Sequence, residues 1–181
     1  MPIYEFEDKI PNISQEAFVH PEAVLIGDIV IERQCFIGPG VVIRADTGPV
    51  VIREGTNIQD NVVIHVDVGS EAIIEKDVIV GHSAILHDVH IEPGCVIGMG
   101  AILLQGVVCK EGAFVGAGSL VLSRMHIPSG KLAAGNPAKI IRDVTSDQAS
   151  YAREGVQFYI ELADRYKHAM RRVRRGSHLN Y

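Results

Sequence analysis

Apolar side chains recur every six residues along most of this chain, and few backbone geometries satisfy that period. Val19, Leu25, Ile31, Ile37 and Ile43 stand six apart. Ile52, Ile58 and Ile64 resume after a three-residue insertion, and Ile73, Ile79, Ile85, Ile91, Ile97, Leu103, Cys109, Val115 and Val121 follow after a second. All seventeen positions are apolar. Six is neither the 3.6-residue period of an amphipathic helix nor a two-residue alternation carried through hairpins. A polygonal coil satisfies it, each hexad being one short strand and a corner with one large and one small side chain turned inward. Small or β-branched residues do fall four positions on, at Ala23, Cys35, Val41, Val62, Ser83, Val89, Cys95, Ala101, Val107, Ala113 and Ser119. Gly38, Gly40, Gly94, Gly98, Gly100, Gly112, Gly116 and Gly118 supply the bends. Composition agrees: Ile and Val make up 44 of 181 residues and Trp is absent, which favours strands over a helical bundle.

The repeat resembles that of the hexapeptide-repeat family of left-handed parallel β-helices, in which three hexads make one coil of a triangular prism. The resemblance covers about residues 11 to 140 and implies an all-β solenoid with a C-terminal α-helix, assembled as a homotrimer. The segment IPSGKLAAGNPAKII, from Ile127 to Ile141, matches the family's exit from the prism. The expected division is an N-terminal segment and cap over 1–18, the β-helix over 19–126, an exit segment over 127–145, a helical segment over 146–175 and a disordered tail over 176–181. Within the helical segment Ser146 is a candidate cap, with Asp147 and Gln148 in the first turn. Val156, Tyr159, Ile160, Leu162, Ala163 and Tyr166 recur at helical spacing, so a helix is expected from about 147 to 172, with Gly155 a weak point in its middle. Arg171, Arg172, Arg174 and Arg175 read as a solvated helix end, with an anion-binding patch as the alternative.

A net charge of −5 marks neither a nucleic-acid nor an anionic-membrane partner. No run reaches 18 uninterrupted apolar residues, and the opening MPIYEFEDKIPN has no basic or apolar signal region, so no membrane span or signal peptide is expected and the expected compartment is cytoplasmic. Cys35, Cys95 and Cys109 are an odd, widely spaced set that reads as buried reduced thiols.

The repeat sorts the histidines. With Val19 opening the first hexad, Ile43 opens the fifth, Ile58 the seventh, Ile64 the eighth, Ile79 the tenth and Ile85 the eleventh. Hexads three apart share a face, so His65 and His87 stack on successive coils with Arg44 and Asp46 one coil earlier. His82 falls on a neighbouring face with Gln59 and Asp60. A threefold assembly brings the odd imidazole against the pair of the next subunit. Three converging imidazoles with no fourth side chain are the ligand set of a catalytic zinc.

IRAD (Arg44, Asp46), NIQDN (Gln59, Asp60), VVIHVD (His65) and GHSAILH (His82, His87) together resemble the γ-class carbonic anhydrases and their relatives from phenylacetic acid degradation and the carnitine operon. The resemblance implies metal-dependent, reversible hydration of carbon dioxide to bicarbonate. His65, His82 and His87 match the metal ligands, with His82 coming from the adjacent subunit. Arg44, Asp46 and Asp60 match a charge network across the subunit interface; for Arg44 and Asp46 a plain intersubunit salt bridge is an equal reading compatible with catalytic support, and Gln59 matches a side chain that positions metal-bound water. Tyr159 matches a tyrosine that the terminal helix brings near the site, or else simply packs that helix on the prism. Zinc is the implied metal, and three imidazoles accept iron(II) or cobalt(II) as well.

The chain departs from the family pattern where an acidic proton-exit loop is expected. Thr47 follows Asp46, and only VDVGSE spans Val66 to Glu71, leaving Asp67, Glu71 and His90 as substitutes. Other readings on the same fold are an acyl-CoA thioesterase, an acyltransferase, and a non-catalytic metal-binding interaction subunit. The short insertions leave little chain to close over coenzyme A.

Overall fold

Strands mostly of two or three residues, stacked in register from coil to coil, build three flat faces. The computed structural model describes residues 2–173 and is a parallel β-solenoid of about 7 turns with one C-terminal helix. On one face Phe18–Val19, Phe36–Ile37, Asn57–Ile58, Ile79–Val80, Val96–Ile97, Phe114–Val115 and Lys131–Gly135 pair in series. On the next, Val63–His65, Ile85–His87, Ile102–Leu103 and Leu120–Val121 continue the first half of Val42–Ile52. On the third, Ala72–Ile74, His90–Ile91, Val108–Cys109 and His126–Ile127 continue its second half. The strands Val24–Ile31 and Val42–Ile52 run unbroken around one corner. Ile3–Tyr4 and Asn12–Ile13 also pair with Val24–Ile31, so parallel pairing starts before Val19. Each coil touches only its neighbours, and burial of one aliphatic side chain per strand, worth roughly 1.5–3 kcal/mol each, is the main cohesive term.

The inward column departs from the expected frame in one stretch. Leu25 to Ile64 are inward as expected, but Ile73 and Ile79 are only half-buried and Ile85 is 40% exposed. Ile74, Val80 and Leu86 face inward instead, and Ala84 rather than the exposed Ser83 takes the small position. The insertion after Ile64 is therefore four residues long, and the hexad from Leu86 to Ile91 is one residue short, so the frame recovers by Ile91. The cause is degeneracy: Ile73 and Ile74, Ile79 and Val80, Ile85 and Leu86 are apolar pairs, and a one-residue slip exchanges the two faces without changing the pattern of apolarity.

The corner glycines divide into two kinds. Gly40, Gly94, Gly100, Gly112 and Gly118 have φ of 64–69°. Gly38 does not: a Cβ there would stand 3.0 Å from the Asp60 backbone nitrogen and 3.2 Å from the Gln59 carbonyl carbon, so close approach of the next coil's backbone favours glycine. The three cysteines are buried and unpaired. Burial pushes the Cys35 and Cys95 thiols up to about 12 and that of Cys109 well above the ordinary thiol range.

Past the last coil, Lys131–Gly135 and Ala138–Asp143 form an antiparallel hairpin, and the helix Ser146–Ala169 follows. Its N-cap is Thr145, not Ser146. The Gln148 amide donates to Thr145 Oγ1 at 3.2 Å while Gln148 Oε1 accepts from the Thr145 amide at 3.2 Å. That reciprocal box needs Glu or Gln three residues on, which Thr145 has and Ser146, followed by Ala149, lacks. The helix runs through Gly155, where a Cβ would lie 3.1 Å from Ile79 Cδ1. Ala152, Val156 and Ala163 are buried against the solenoid, and Tyr159 and Tyr166 pack on Phe36 at centroid distances of 5.1 and 5.7 Å.

The helix stops at Ala169, short of residue 172, because Met170 turns to an extended conformation and Arg171 Nη1 donates to the carbonyls of His168 and Met170. Arg174, Arg175 and the expected tail lie outside the described residues. Among the described residues no helix is long and apolar enough to cross a membrane. Replacing Thr145 by Ala is expected to lower the unfolding free energy by about 1 kcal/mol, whereas Ser146→Ala changes it by less than about 0.5 kcal/mol. Urea midpoints of the two variants check this.

Candidate metal centre

In the corrected frame Arg44, His65 and His87 each follow an inward residue, namely Ile43, Ile64 and Leu86, and pair in register on adjacent coils. The frame shift thus improves the alignment of the two imidazoles. Their ring centroids are 5.0 Å apart with planes at 88°. His65 Nδ1 lies 3.0 Å from the Arg44 carbonyl oxygen. A carbonyl can only accept, so Nδ1 carries the proton and Nε2 keeps a free lone pair. That is the outer-shell arrangement that orients a metal-binding histidine. His87 Nδ1 is buried with no hydrogen-bond partner; Asp88 Oδ2 is 3.4 Å away but outside bonding geometry. Asp67 Oδ1 lies 3.8 Å from His87 Nε2, and one donor atom each from His65, Asp67 and His87 fall within 4.8 Å of one another.

Arg44 Nη1 donates to Asp46 Oδ2 at 2.7 Å within the chain. Burial raises the Asp46 carboxyl pKa, but the hydrogen bond from Arg44, a backbone hydrogen bond and the positive charges beside it together outweigh burial, and the net shift is downward. Asp46 Oδ1 is buried without a partner, 3.9 Å from His65 Nδ1. His82 stands on the neighbouring corner with Nδ1 3.2 Å from Asp60 Oδ2. Within one chain it does not join the other two histidines. Gln59 is buried, and its Nε2 donates to Asn57 Oδ1 at 3.0 Å. Tyr159, Gln59, Gly81 and His82 share the wall of an apolar groove of about 650 Å³ between helix and solenoid. Burial, then the charge of Asp60, pushes the Tyr159 pKa up. Of the three groups considered for proton exit, only Asp67 lies against the histidines; Glu71 is exposed on the loop and His90 is on the third face, 4.0 Å from Glu75.

Asn57 and Asp88 join this region without having been expected from the sequence. Asn57 is fully buried in the column of Phe18, Phe36, Ile79, Val96 and Phe114, and a lone amide among apolar residues was the available signal. Asp88 occupies the shortened hexad, so its role was hidden by the frame.

Among curated proteins the chain is 41% identical over 162 residues to the mitochondrial gamma carbonic anhydrase 2 of Arabidopsis thaliana, covering 86% of this chain and 58% of that protein. It is 34% identical over 165 residues to the carnitine operon protein CaiE of Escherichia coli, covering 91% of this chain and 84% of that protein. The chain belongs to the γ-class carbonic anhydrase-like hexapeptide-repeat family. It spans less than two thirds of the Arabidopsis relative's length. No family model matches the chain. Among solved structures, a Bacillus cereus protein described as a candidate acetyltransferase superposes with a TM-score of 0.91 at 38% identity, over 93% of this chain and 98% of its own. A hexapeptide transferase family protein from Anaplasma phagocytophilum superposes at 0.88 with 35% identity, over 91% and 98%. The donor set fits the divalent transition metal this family implies: two imidazoles on adjacent coils, His65 with Nδ1 already bonded to a backbone carbonyl so that Nε2 keeps its lone pair, and His87 with Nε2 beside the Asp67 carboxylate.

Proposed function

We propose that the protein catalyses reversible hydration of carbon dioxide to bicarbonate at a metal site shared between subunits of a homotrimer. The observation that carries this reading is the pairing of His65 with His87 on one corner and His82, beside Asp60, on the next. Between the two corners lies an outward aliphatic ladder of Val42, Val63, Ile85, Ile102 and Leu120, with Val63 37% and Ile85 40% exposed. Threefold packing through that face buries the ladder and carries the His82 edge of one copy to the His65–His87 edge of the next, which explains why a chain this small carries half a site.

In this reading His65 and His87 of one subunit and His82 of its neighbour hold the metal, zinc or, by the same donors, iron(II) or cobalt(II). The bound metal supplies Lewis acidity that brings the pKa of water to about 7, the value known for carbonic anhydrase. The chain supplies orientation. The Arg44 carbonyl fixes the imidazole nitrogens of His65, Asp60 stands beside His82 Nδ1, and Asn57 fixes the Gln59 amide so that it can hydrogen-bond water or a substrate oxygen. The Arg44–Asp46 pair keeps Asp46 ionised beside His65.

A second reading has its own observation. The apolar groove that opens at His82 and Gln59 is far larger than carbon dioxide needs and suits the acyl group of a thioester. Metal analysis after anaerobic purification, solution mass, and parallel carbon dioxide hydration and acyl-CoA hydrolysis assays test both. One transition metal per chain, a trimer and fast hydration are expected. A metal-free monomer overturns the proposal, and thioester hydrolysis without hydration replaces it with the second reading.

A further inference from the structure

The four-residue insertion after Ile64 begins beside His65 and returns the chain over His87. We propose that Asp67, on this insertion, supplies a carboxylate ligand from within the same chain, so that one protomer alone presents a two-histidine, one-carboxylate set to the metal. The inference rests on the metal reading above and adds to it a donor that the three-imidazole pattern lacks.

The first observation is proximity. Asp67 Oδ1 is 3.8 Å from His87 Nε2, and His65, Asp67 and His87 offer donor atoms all within 4.8 Å. Ligand atoms about 2.0–2.1 Å from one ion stand roughly 3.0–3.4 Å from each other, so the Asp67–His87 pair needs less than about 1 Å of closure and the widest pair of the set, at most 4.8 Å apart, less than about 2 Å, a movement of side chains with Asp67 exposed. The second observation is anchorage. The Asp67 amide donates to Asp88 Oδ1 at 2.7 Å, and the amide of that same Asp88 donates to the His65 carbonyl at 3.2 Å. Asp88 is itself buried, so the backbone bearing Asp67 is tied to both histidine strands even though the loop tip at Val68 is solvated. Ser70 N closes the turn on the Asp67 carbonyl at 3.1 Å.

The chemistry has a consequence. Three neutral imidazoles leave the full dipositive charge at the centre, whereas a carboxylate offsets part of it, and two histidines with one carboxylate leaving open positions is the pattern that suits iron(II). A centre with Asp67 added favours five- or six-coordinate iron(II) or cobalt(II) over strictly tetrahedral zinc. It also lets a single chain load metal before the partner's imidazole arrives.

Cobalt(II) titration of the metal-free protein, followed by visible absorption and by calorimetry, tests this without any activity assay. Wild type is expected to bind one cobalt per chain. Asp67→Asn is expected to bind at least about tenfold more weakly, with ligand-field bands displaced because coordination number falls. His82→Ala is expected to keep measurable binding through His65, His87 and Asp67, and Asp67→Asn in that background to remove it. Asp67→Asn with wild-type affinity and spectrum overturns this inference alone, since a carboxylate that only hydrogen-bonds His87 leaves the bands in place. A wild-type protein that takes up no cobalt overturns the metal reading and this inference together.

Discussion

His65→Ala is expected to reduce carbon dioxide hydration by more than about a hundredfold while leaving the solenoid folded. Loss of a mere outer-shell partner already costs 10- to 100-fold in metal affinity or activity as a rule, and His65 is placed to contact the ion itself. Its ring also occupies the outward side of its strand, with Ile64 filling the inward side, so truncation removes no core volume. The variant separates two roles that an inactive enzyme alone would confuse. If His65 is a ligand, metal content per chain falls with activity while the thermal midpoint of the apoprotein stays within a few degrees of wild type. If His65 serves only to pack on His87 across 5.0 Å, metal content and hydration both persist. Retained metal with retained turnover would end the proposal that this corner is the active centre. Stopped-flow hydration, elemental analysis and a melting curve on one preparation decide the matter.

Much of the solenoid is legible in the sequence because its repeat is local. Every hexad from Leu25 to Ile58 and from Ile97 to Val121 states its own inward residue, and no distant contact is needed to read it. The site is legible to the extent that it follows the repeat: Arg44 and His65 hold equivalent places in their hexads, and His82 falls on another corner wherever the frame is set. What escapes is whatever depends on loop length or on burial in three dimensions. The Asp67–Ser70 insertion adds a residue that Leu86 to Ile91 later omits, and neither change alters the run of apolar pairs. Asn57 looks like an ordinary polar residue before a strand until the helix Ser146–Ala169 covers its column. Thr145 loses the cap to its neighbour in a simple list of capping residues, and only the partner three positions on distinguishes them.

The register correction carries the alignment of His87 with His65, and a pair of adjacent substitutions tests it. Ile74→Asp is expected to abolish soluble folded protein, and Ile73→Asp to change stability by less than about 1 kcal/mol. Ile74 is fully enclosed between Ile52 and Ile91. A carboxylate there has no partner, and burying it unpaired costs several kcal/mol against a total stability of roughly 5–15 kcal/mol. The solenoid has no way to spread the damage, because each coil holds only its two neighbours and a fault in the middle uncouples the ends. Ile73 points to the outer surface between Val51 and His90, where a carboxylate stays hydrated beside an imidazole. Ile74→Ala and Ile73→Ala give the same contrast in a measurable range should the aspartate variant fail to express: a loss of about 2–5 kcal/mol at the buried position and less than about 1 kcal/mol at the outer one, read from urea midpoints. The opposite ranking would return Ile73, Ile79 and Ile85 to the core. His87 would then sit one place out of step with His65, turned away from the corner they are proposed to share, and the two-histidine half of the centre could not form on a single chain.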